Sequence, residues 1–140
     1  MISFNYESDF NLDNETVYAD WLSKVISSEI KNEGEINYIF CDDDYLLEIN
    51  QQYLNHDTLT DVISFDYSIG NELHGDIFIS IERVRENASD FNVSFEDELK
   101  RVMVHGVLHY CGYKDKSESD EKLMREKEEE KMKMFHVKQN

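Results

Sequence analysis

The sequence predicts an α+β fold in which a single mixed β-sheet of about four strands packs with about five helices. Segments in which apolar and polar residues alternate are interleaved with segments that carry apolar residues at helical spacing. Their order along the chain is strand, helix, strand, helix, hairpin and then three helices. The 140 residues suit one compact domain spanning 1–140.

The turn residues between these segments set the limits of the predicted elements. Strands are predicted over residues 2–7, 35–41, 62–67 and 76–80, the last two forming a hairpin. Helices are predicted over residues 14–31, from the acidic triplet 42–44 to about 53, over 81–91, over 95–111, and from Ser117 or Ser119 to about 134. Residues 55–59 are expected to form a loop, and the tail 135–140 is expected to be loose.

The helix limits depend on capping residues. Asp13 or Asn14 can cap the first helix, and Gly34 lies just beyond its end. Ser94 is followed by acidic residues in the pattern of a capping box, which places the start of the fourth helix there. The last helix carries charges of both signs over residues 120–130, a pattern typical of a solvated helix face.

Charge is distributed unevenly along the chain, whose net charge is −17. Residues 1–82 hold eighteen acidic and two basic residues, whereas residues 83–140 hold thirteen acidic and twelve basic ones. This charge opposes non-specific nucleic-acid binding, so DNA is not expected as a partner and RNA would have to use a local surface. The cations available near the motif described below are Arg83, Arg85, Lys100, Arg101, Lys114 and Lys116.

The sequence gives no sign of a membrane span or of export. No stretch approaches 18 apolar residues, and the first residues contain neither a basic region nor an apolar signal core. Cys41 and Cys111 are expected to be small buried hydrophobic residues in a reducing compartment. A cytoplasmic protein with no membrane partner is therefore predicted.

The segment from His105 to Asp115 carries the candidate chemistry. His105 and His109 are four residues apart, so they project from the same side of the predicted helix. Gly112 can end that helix in a left-handed cap, and the reversing chain can bring Asp115 back toward the imidazoles. Two neutral imidazoles, one carboxylate and an open fourth position form the donor set of a catalytic site for one zinc ion. The alternative is a pair of half-buried histidines on a core helix with a loop aspartate.

The same spacing occurs in metzincin proteases, with one difference. Their general base is a Glu directly after the first His, and this chain has Gly106 there. A metalloprotease is therefore disfavoured, and zinc chemistry of another kind is expected. The remaining histidines are weak candidates for ligands, because His56 and His74 are expected in loops and His136 in the tail.

Three segments together resemble the YbeY endoribonuclease family of bacterial rRNA maturation factors. Residues 60–65 (TDVISF) are similar to the family's TDVLSF strand, residues 75–80 (GDIFIS) to its GDI-type strand, and residues 105–113 (HGVLHYCGY) to its HGxLHLxGYDH signature. The resemblance runs from about residue 36 to about residue 130. It implies a mixed sheet with helices and a zinc ion held by His105, His109 and Asp115. It further implies cleavage of single-stranded RNA and a role in maturation of the 3′ end of 16S rRNA.

Two departures from the family pattern bear on function. The family's third ligand is usually His preceded by Asp, whereas here Lys114 precedes Asp115, so the site would carry one positive charge less. The family commonly has Tyr-Arg where this chain has Tyr53-Leu54, and such an Arg suits phosphate binding. A non-catalytic ribosome-assembly factor therefore stands as the alternative. It would dock on the small ribosomal subunit or its proteins and keep a structural or vestigial metal site.

Asp61 is the remaining candidate near the predicted site. Its carboxylate can orient a water or a ligand imidazole by accepting a hydrogen bond. Capping of the loop before the strand is the alternative role for Asp61 and is slightly favoured. The sequence assigns no general base.

Overall fold

A computed structural model of the chain describes residues 1–54 and 60–135. Within these residues there are one four-stranded mixed sheet and five helices, which confirms the α+β prediction. The elements in chain order are β1 (Ile2–Tyr6), α1 (Glu15–Ser28), β2 (Asn32–Cys41), α2 (Asp43–Leu54), β3 (Val62–Asp66), β4 (Glu72–Ser80), α3 (Ile81–Phe91), α4 (Phe95–Tyr110) and α5 (Glu118–Met132).

The sheet has the strand order β1-β2-β4-β3, in which only the β3–β4 pair is antiparallel. Its two faces pack against different helices, because successive side chains of a strand point to opposite faces. Ile77 and Ile79 of β4 belong to the main core, which α1 and α4 share. Phe78, between them, packs against the smaller cluster that contains Leu46 and Ile49 of α2.

Helix α4 lies unusually close to the sheet at Gly106. A Cβ atom at this position would lie 2.8 Å from Cδ1 of Ile77, so any larger residue would require the Ile77 side chain to move. One turn earlier, the Tyr38 hydroxyl of β2 donates to the Met103 carbonyl oxygen at 2.7 Å. Gly106, which occupies the position of the metzincin glutamate, therefore has a packing role here.

Three element limits differ from the sequence predictions. α1 ends at Ser28 because the chain reverses at Ile30, which has a left-handed φ of 58°. Gly34, expected just beyond the helix, lies inside β2 instead. β2 and β4 both begin several residues early because they pair with each other from Asn32 and Glu72 onward.

The predicted helix starts agree with the structure. Asn14 occupies the cap position of α1, although its side chain makes no capping hydrogen bond. The Ser94 hydroxyl accepts from the Asp97 N–H at 3.1 Å, and the Ser117 hydroxyl accepts from the Asp120 N–H at 3.1 Å. Ser117 rather than Ser119 therefore opens α5.

The last helix differs from its prediction in burial. Glu128 and Lys131, assigned to a solvated face or its continuation, are only 5% and 4% exposed. The indole N–H of Trp21 donates to the Lys131 carbonyl oxygen at 2.8 Å, which holds the end of α5 against α1. Phe135, expected in a loose tail, packs on Tyr18 and Trp21 with ring centroids 4.9 and 5.2 Å away.

The cysteines agree in part with the sequence expectation, because only one of the two is buried. Cys41 is fully buried, Cys111 is half-buried, and both thiols are free. Among residues 1–54 and 60–135, no helix combines the length and the apolar character that crossing a membrane requires.

Candidate metal centre

The end of α4 carries the chain back toward the two motif histidines. Gly112 has a φ of 105°, and its N–H donates to the His109 carbonyl oxygen at 3.0 Å. The Tyr113 N–H donates to the Leu108 carbonyl oxygen at 3.1 Å. These two hydrogen bonds are those of a Schellman motif, whose left-handed residue favours glycine. The reversal places Asp115 beside the imidazoles, as the spacing predicts.

Three side-chain atoms converge on one point beyond this turn. The Nε2 atoms of His105 and His109 are 2.9 Å apart. The Asp115 Oδ2 atom lies 3.2 Å from Nε2 of His109 and 3.3 Å from Nε2 of His105. Donors about 2.0 Å from a tetrahedral zinc ion are separated from one another by about 3.3 Å. The three atoms are therefore spaced closely enough to share one metal ion.

The other nitrogen of each imidazole is already hydrogen bonded away from this point. Nδ1 of His109 lies 3.0 Å from the Tyr113 carbonyl oxygen, and Nδ1 of His105 lies 2.6 Å from Oε2 of Glu128. Carbonyl and carboxylate oxygens accept hydrogen bonds, so both Nδ1 atoms donate. In the neutral imidazoles both Nε2 lone pairs then face the point of convergence, an arrangement typical of metal-bound histidines.

The convergence of three acceptors requires a positive charge between them. Burial alone would lower the pKa of His105, but the hydrogen bond and charge of Glu128, together with the charges of Asp115 and Asp61, raise it above its ordinary value. A proton on His105 is one way to supply this charge. A metal ion bound by all three donors is the other, and the donor set fits it.

Glu128 connects the centre to a guanidinium group. Its Oε1 atom accepts from Nη1 of Arg101 at 3.0 Å, and Arg101 also lies 3.9 Å from Glu98. Burial would raise the pKa of Glu128, but the hydrogen bonds to His105 and Arg101 outweigh burial and lower it. Sequence reasoning missed Glu128 because acidic residues surround it on α5. No local signal distinguishes it, because its burial depends on how α5 docks on α4.

Asp61 lies beside the centre without bonding to its donors in the part of the chain that is described. Its carbonyl oxygen accepts from the Ser80 N–H at 3.0 Å, and its carboxylate accepts from the Asn87 side-chain amide at 3.4 Å. Burial raises the pKa of the Asp61 carboxyl, and the charge of His105 partly offsets this. The carboxylate also interacts with the backbone of Val62 at the start of β3, as a loop cap would.

Comparison with known proteins agrees with the resemblance that the three sequence segments predict. The family model described as Endoribonuclease YbeY matches residues 3–136. The chain belongs to the YbeY endoribonuclease family. A relative named Endoribonuclease YbeY from Flavobacterium psychrophilum is 79% identical over 140 residues and covers 100% of both chains. Another of that name from Flavobacterium johnsoniae is 72% identical over 139 residues, covering 99% of this chain and 100% of the relative.

The fold is also shared with a solved structure. The solution structure of TM1509 from Thermotoga maritima superposes on this YbeY-family chain with a TM-score of 0.70 at 29% sequence identity. The similarity covers 96% of this chain and 89% of that one.

Two clefts meet at the candidate centre of this YbeY-family chain. The inner cleft, of about 310 Å³, lies between α3, α4 and the start of β3, and Asn87, Phe91 and Arg101 are among the residues that line it. The outer cleft, of about 640 Å³, runs along α5. Four residues line both clefts: His105, Asp115, Arg125 and Glu128. A ligand bound in either cleft would therefore contact His105 and Asp115.

Three of the six cations that the sequence places near the motif contact groups away from the centre. Of those six, only Arg101 lines the inner cleft. Arg83 pairs with Asp43 at 3.2 Å, and Arg85 and Lys100 lie over aromatic rings. Arg125, which the sequence analysis did not select, is the second cation of the inner cleft.

His74, the other histidine among the described residues, takes no part in the centre. His74 lies in β4 rather than in the predicted loop, because that strand begins earlier than expected. Its Nδ1 accepts from the Glu35 N–H at 3.0 Å, and its Nε2 lies 2.6 Å from Glu72. His56, with the predicted loop 55–59, and His136 lie outside the described residues.

Proposed function

We propose that this chain is a zinc-dependent endoribonuclease that cleaves single-stranded RNA, with His105, His109 and Asp115 holding one zinc ion. The observation that carries the proposal is the approach of their three acceptor atoms to within 3.3 Å of one another. Membership in the YbeY family supports RNA as the substrate.

The residues around the donors have positioning roles in this proposal. Glu128 accepts the Nδ1 proton of His105, and the Tyr113 carbonyl oxygen accepts that of His109. Both contacts fix the tautomer that leaves Nε2 free to bind the ion. Zinc held by three protein donors would polarise a phosphoryl oxygen or supply a hydroxide at its fourth position. Asp61, on the wall of the inner cleft, is proposed to orient a water, and no general base is assigned.

The carboxylate of Asp115 distinguishes this centre from one with the family's usual third histidine. It makes the bound ion less positive by one charge, so a bound water would be acidified less strongly. A carboxylate is also a harder ligand than imidazole, which changes the preference among metals. We therefore expect Asp115→His to increase metal-supported activity near neutral pH.

In the cell, we propose that the substrate is the 3′ end of 16S rRNA in the small ribosomal subunit, in the cytoplasm. Family membership and the clefts beside the centre support an RNA substrate. The anionic first half of the chain, with eighteen acidic and two basic residues, suits contact with a basic ribosomal protein. The absence of a membrane-spanning helix from the described part of the chain agrees with this location.

A non-catalytic ribosome-assembly factor is the second candidate. Leu54, 42% exposed, stands where the family commonly has an arginine, and the net charge of −17 opposes direct RNA binding. In that case the metal would be structural or vestigial, and the anionic surface would carry the function by docking on the small subunit or its proteins.

Metal content and RNA cleavage, measured together, separate the two candidates. Purified wild type is compared with Asp115→Ala and Asp115→His by mass spectrometry after zinc is supplied, and each is incubated with single-stranded and duplex RNA. We expect one zinc per chain in wild type and Asp115→His, loss in Asp115→Ala, and cleavage of single-stranded RNA that a chelator abolishes. Wild type that binds no zinc would contradict the site. Wild type that binds zinc but cleaves no RNA would favour the assembly factor.

A further inference from the structure

We propose that the inner cleft is a nucleotide subsite, in which Phe91 stacks on a base of single-stranded RNA and Arg125 contacts the adjacent phosphate beside the metal centre. The inference rests on the proposed function and adds to it the residues that hold the strand. It is carried by an exposed aromatic ring, a polar wall and an available cation that line one cleft with His105.

The ring of Phe91 is exposed although it lines a cleft. It is 63% exposed at the C-terminal end of α3, and among the described residues it has no aromatic or cationic ring partner. Phe95 and Phe135, by contrast, each lie under a basic side chain and pack on other rings. A flat apolar surface at the edge of a cleft is what proteins use to stack unpaired bases, because every base has a π-face.

The wall of the inner cleft offers polar groups to the edge of such a base. The Asn87 amide donates one long hydrogen bond of 3.4 Å to Asp61. Among the described residues, the side-chain carbonyl oxygen of Asn87 and its second side-chain N–H form no hydrogen bond. Bases of single-stranded RNA are recognised through hydrogen bonds to their exposed edges, and an amide can both donate and accept. The cleft volume of about 310 Å³ is at the lower end of the range for ligand sites, which suits one nucleotide.

The charges that line the inner cleft indicate which residue would contact the phosphate. Arg101 is held by Glu128 at 3.0 Å, whereas Arg125 makes no hydrogen bond or ion pair with any described residue and its charge acts only at longer range, on Glu98. The cleft lining contains two arginines and four carboxylates, namely Asp61, Glu98, Asp115 and Glu128. A divalent ion at the centre would balance these charges. Binding of an oligonucleotide in the inner cleft is therefore expected to require the metal and to use Arg125.

Fluorescence can test the stacking contact directly. The chain has one tryptophan, Trp21, which is 2% exposed and cannot meet a base. Phe91→Trp would place an indole in the inner cleft, and a base stacked on it would quench its emission. Tyr67→Trp is the matched control, because Tyr67 is 58% exposed but lies in a groove with none of the three donor residues. The ligand is a short single-stranded 2′-O-methyl RNA, checked for integrity after each titration.

We expect saturable quenching of Phe91→Trp in the presence of zinc, little quenching after the zinc is removed, and none in Tyr67→Trp. Phe91→Leu should bind the same oligonucleotide roughly five- to a hundredfold more weakly, the affinity of one stacked base. Its zinc content and thermal unfolding should equal those of wild type, because the ring lies outside the core.

The phosphate contact is tested by salt dependence. Arg125→Gln should reduce the slope of log affinity against log salt by about 0.7, the value for one phosphate contact on a single strand. Lys24→Gln removes the same charge from an exposed position on α1, where it should leave the slope unchanged.

Two results would overturn the subsite. One is wild-type binding that Phe91→Leu and Arg125→Gln leave unchanged, and the other is an unquenched Phe91→Trp that still binds RNA. If either result is obtained and the wild type still cleaves RNA, the proposed function stands and only the subsite is excluded. Wild type that neither binds nor cleaves RNA with zinc present contradicts both proposals.

Discussion

Helix α5 is attached to the rest of the fold by two partly buried polar clusters that differ in charge. The Lys131 cluster consists of Lys131, Glu29, Ser28 and Tyr113. The centre cluster consists of His105, His109, Asp115 and Glu128. In the first, the Lys131 ammonium lies 2.9 Å from Glu29 and donates to the Ser28 hydroxyl at 2.8 Å. The Glu29 carboxylate also accepts from the Tyr113 hydroxyl at 2.6 Å.

The difference between the clusters indicates which one is complete in the protein alone. In the Lys131 cluster the buried carboxylate meets donors and a positive charge supplied by the chain. In the centre cluster two imidazole nitrogens and a carboxylate oxygen face one another, so a positive charge is required between them, from a proton on His105 or from a bound cation. Tyr113 joins the two clusters, because its hydroxyl contacts Glu29 while its carbonyl oxygen accepts from His109. The Lys131 cluster is thus structural, and it supports the loop that orients the centre.

The largest effect expected in either cluster is the loss of zinc from His109→Ala. Two donors cannot hold the ion as three do, so stoichiometric zinc and RNA cleavage should both disappear. The side-chain contacts within the Lys131 cluster are untouched, and unfolding of the zinc-free protein should change much less. Mass spectrometry and chemical denaturation measure the two effects. Cys111→Ala, two residues away, is the control that should keep zinc, whereas retention of one zinc per chain by His109→Ala would exclude the site.

Lys131→Met should produce the opposite pattern, a loss of stability with zinc binding retained. It leaves the Glu29 carboxylate without its positive partner at a position where its side chain is only 13% exposed. Breaking such a pair costs several kcal/mol, and we expect a decrease of about 3 kcal/mol in the free energy of unfolding. The Trp21 contact uses the Lys131 carbonyl oxygen and survives the substitution.

Urea unfolding of the zinc-free protein measures this decrease. Lys133→Met, at an exposed position two residues later, removes the same charge and should change stability little. Equal stabilities of the Lys131→Met and Lys133→Met variants would show that the Lys131 cluster does not stabilise the fold. Loss of zinc from Lys131→Met would show instead that the two clusters are energetically coupled through Tyr113.

The fold was predictable because local patterns agree with the tertiary structure. Alternation in the strands, and serine caps at Ser94 and Ser117, are properties of short segments that survive into the structure. The three donors were predictable for the same reason, since helix spacing and one glycine turn bring them together. The C-terminal limit of α1 could not be predicted, because the reversal at Ile30 puts a β-branched residue in a conformation that it rarely adopts.

The burial of Glu128 and the exposure of Phe91 could not be read from the sequence, because both depend on packing between distant elements. Glutamates 126 and 128–130 look alike along the chain, and only the docking of α5 on α4 selects Glu128 for burial against His105. Phe91 is an apolar residue of a type usually found in the core, yet its ring is exposed at the end of α3, beside the centre. Neither outcome has a local periodic signal.

Glu128→Gln should lower the zinc affinity of the centre cluster without abolishing zinc binding. The amide oxygen can still accept from His105, but the charge that favours the Nδ1–H tautomer is lost, and Arg101 loses the nearer of its two carboxylate partners. Loss of an outer contact of this kind costs about 10–100-fold in metal affinity. Zinc competition with a chelator measures this, and saturating zinc should restore one ion per chain. Glu129→Gln, on the exposed side of α5, is the control, and equal affinities in the two variants would contradict the role of Glu128.

The smallest expected effect is the pH dependence of the stability that the Lys131 cluster contributes, which Glu29→Gln tests. Burial would raise the pKa of Glu29, but the hydrogen bonds from Tyr113 and Lys131 and the charges of Lys131 and Lys127 lower it below its ordinary 4.5. A carboxyl whose pKa is lower in the folded protein stabilises the fold fully above the unfolded pKa and loses that stabilisation as the pH falls through the folded value. The free energy of unfolding of wild type should therefore exceed that of Glu29→Gln at pH 6, and the difference should shrink progressively below pH 4.5.

Both proteins are measured without zinc, so that metal binding at the centre cluster does not affect the comparison. A difference that stays constant from pH 6 to pH 3 would mean that the Glu29 charge contributes nothing, and that the cluster is held by the neutral hydrogen bonds alone.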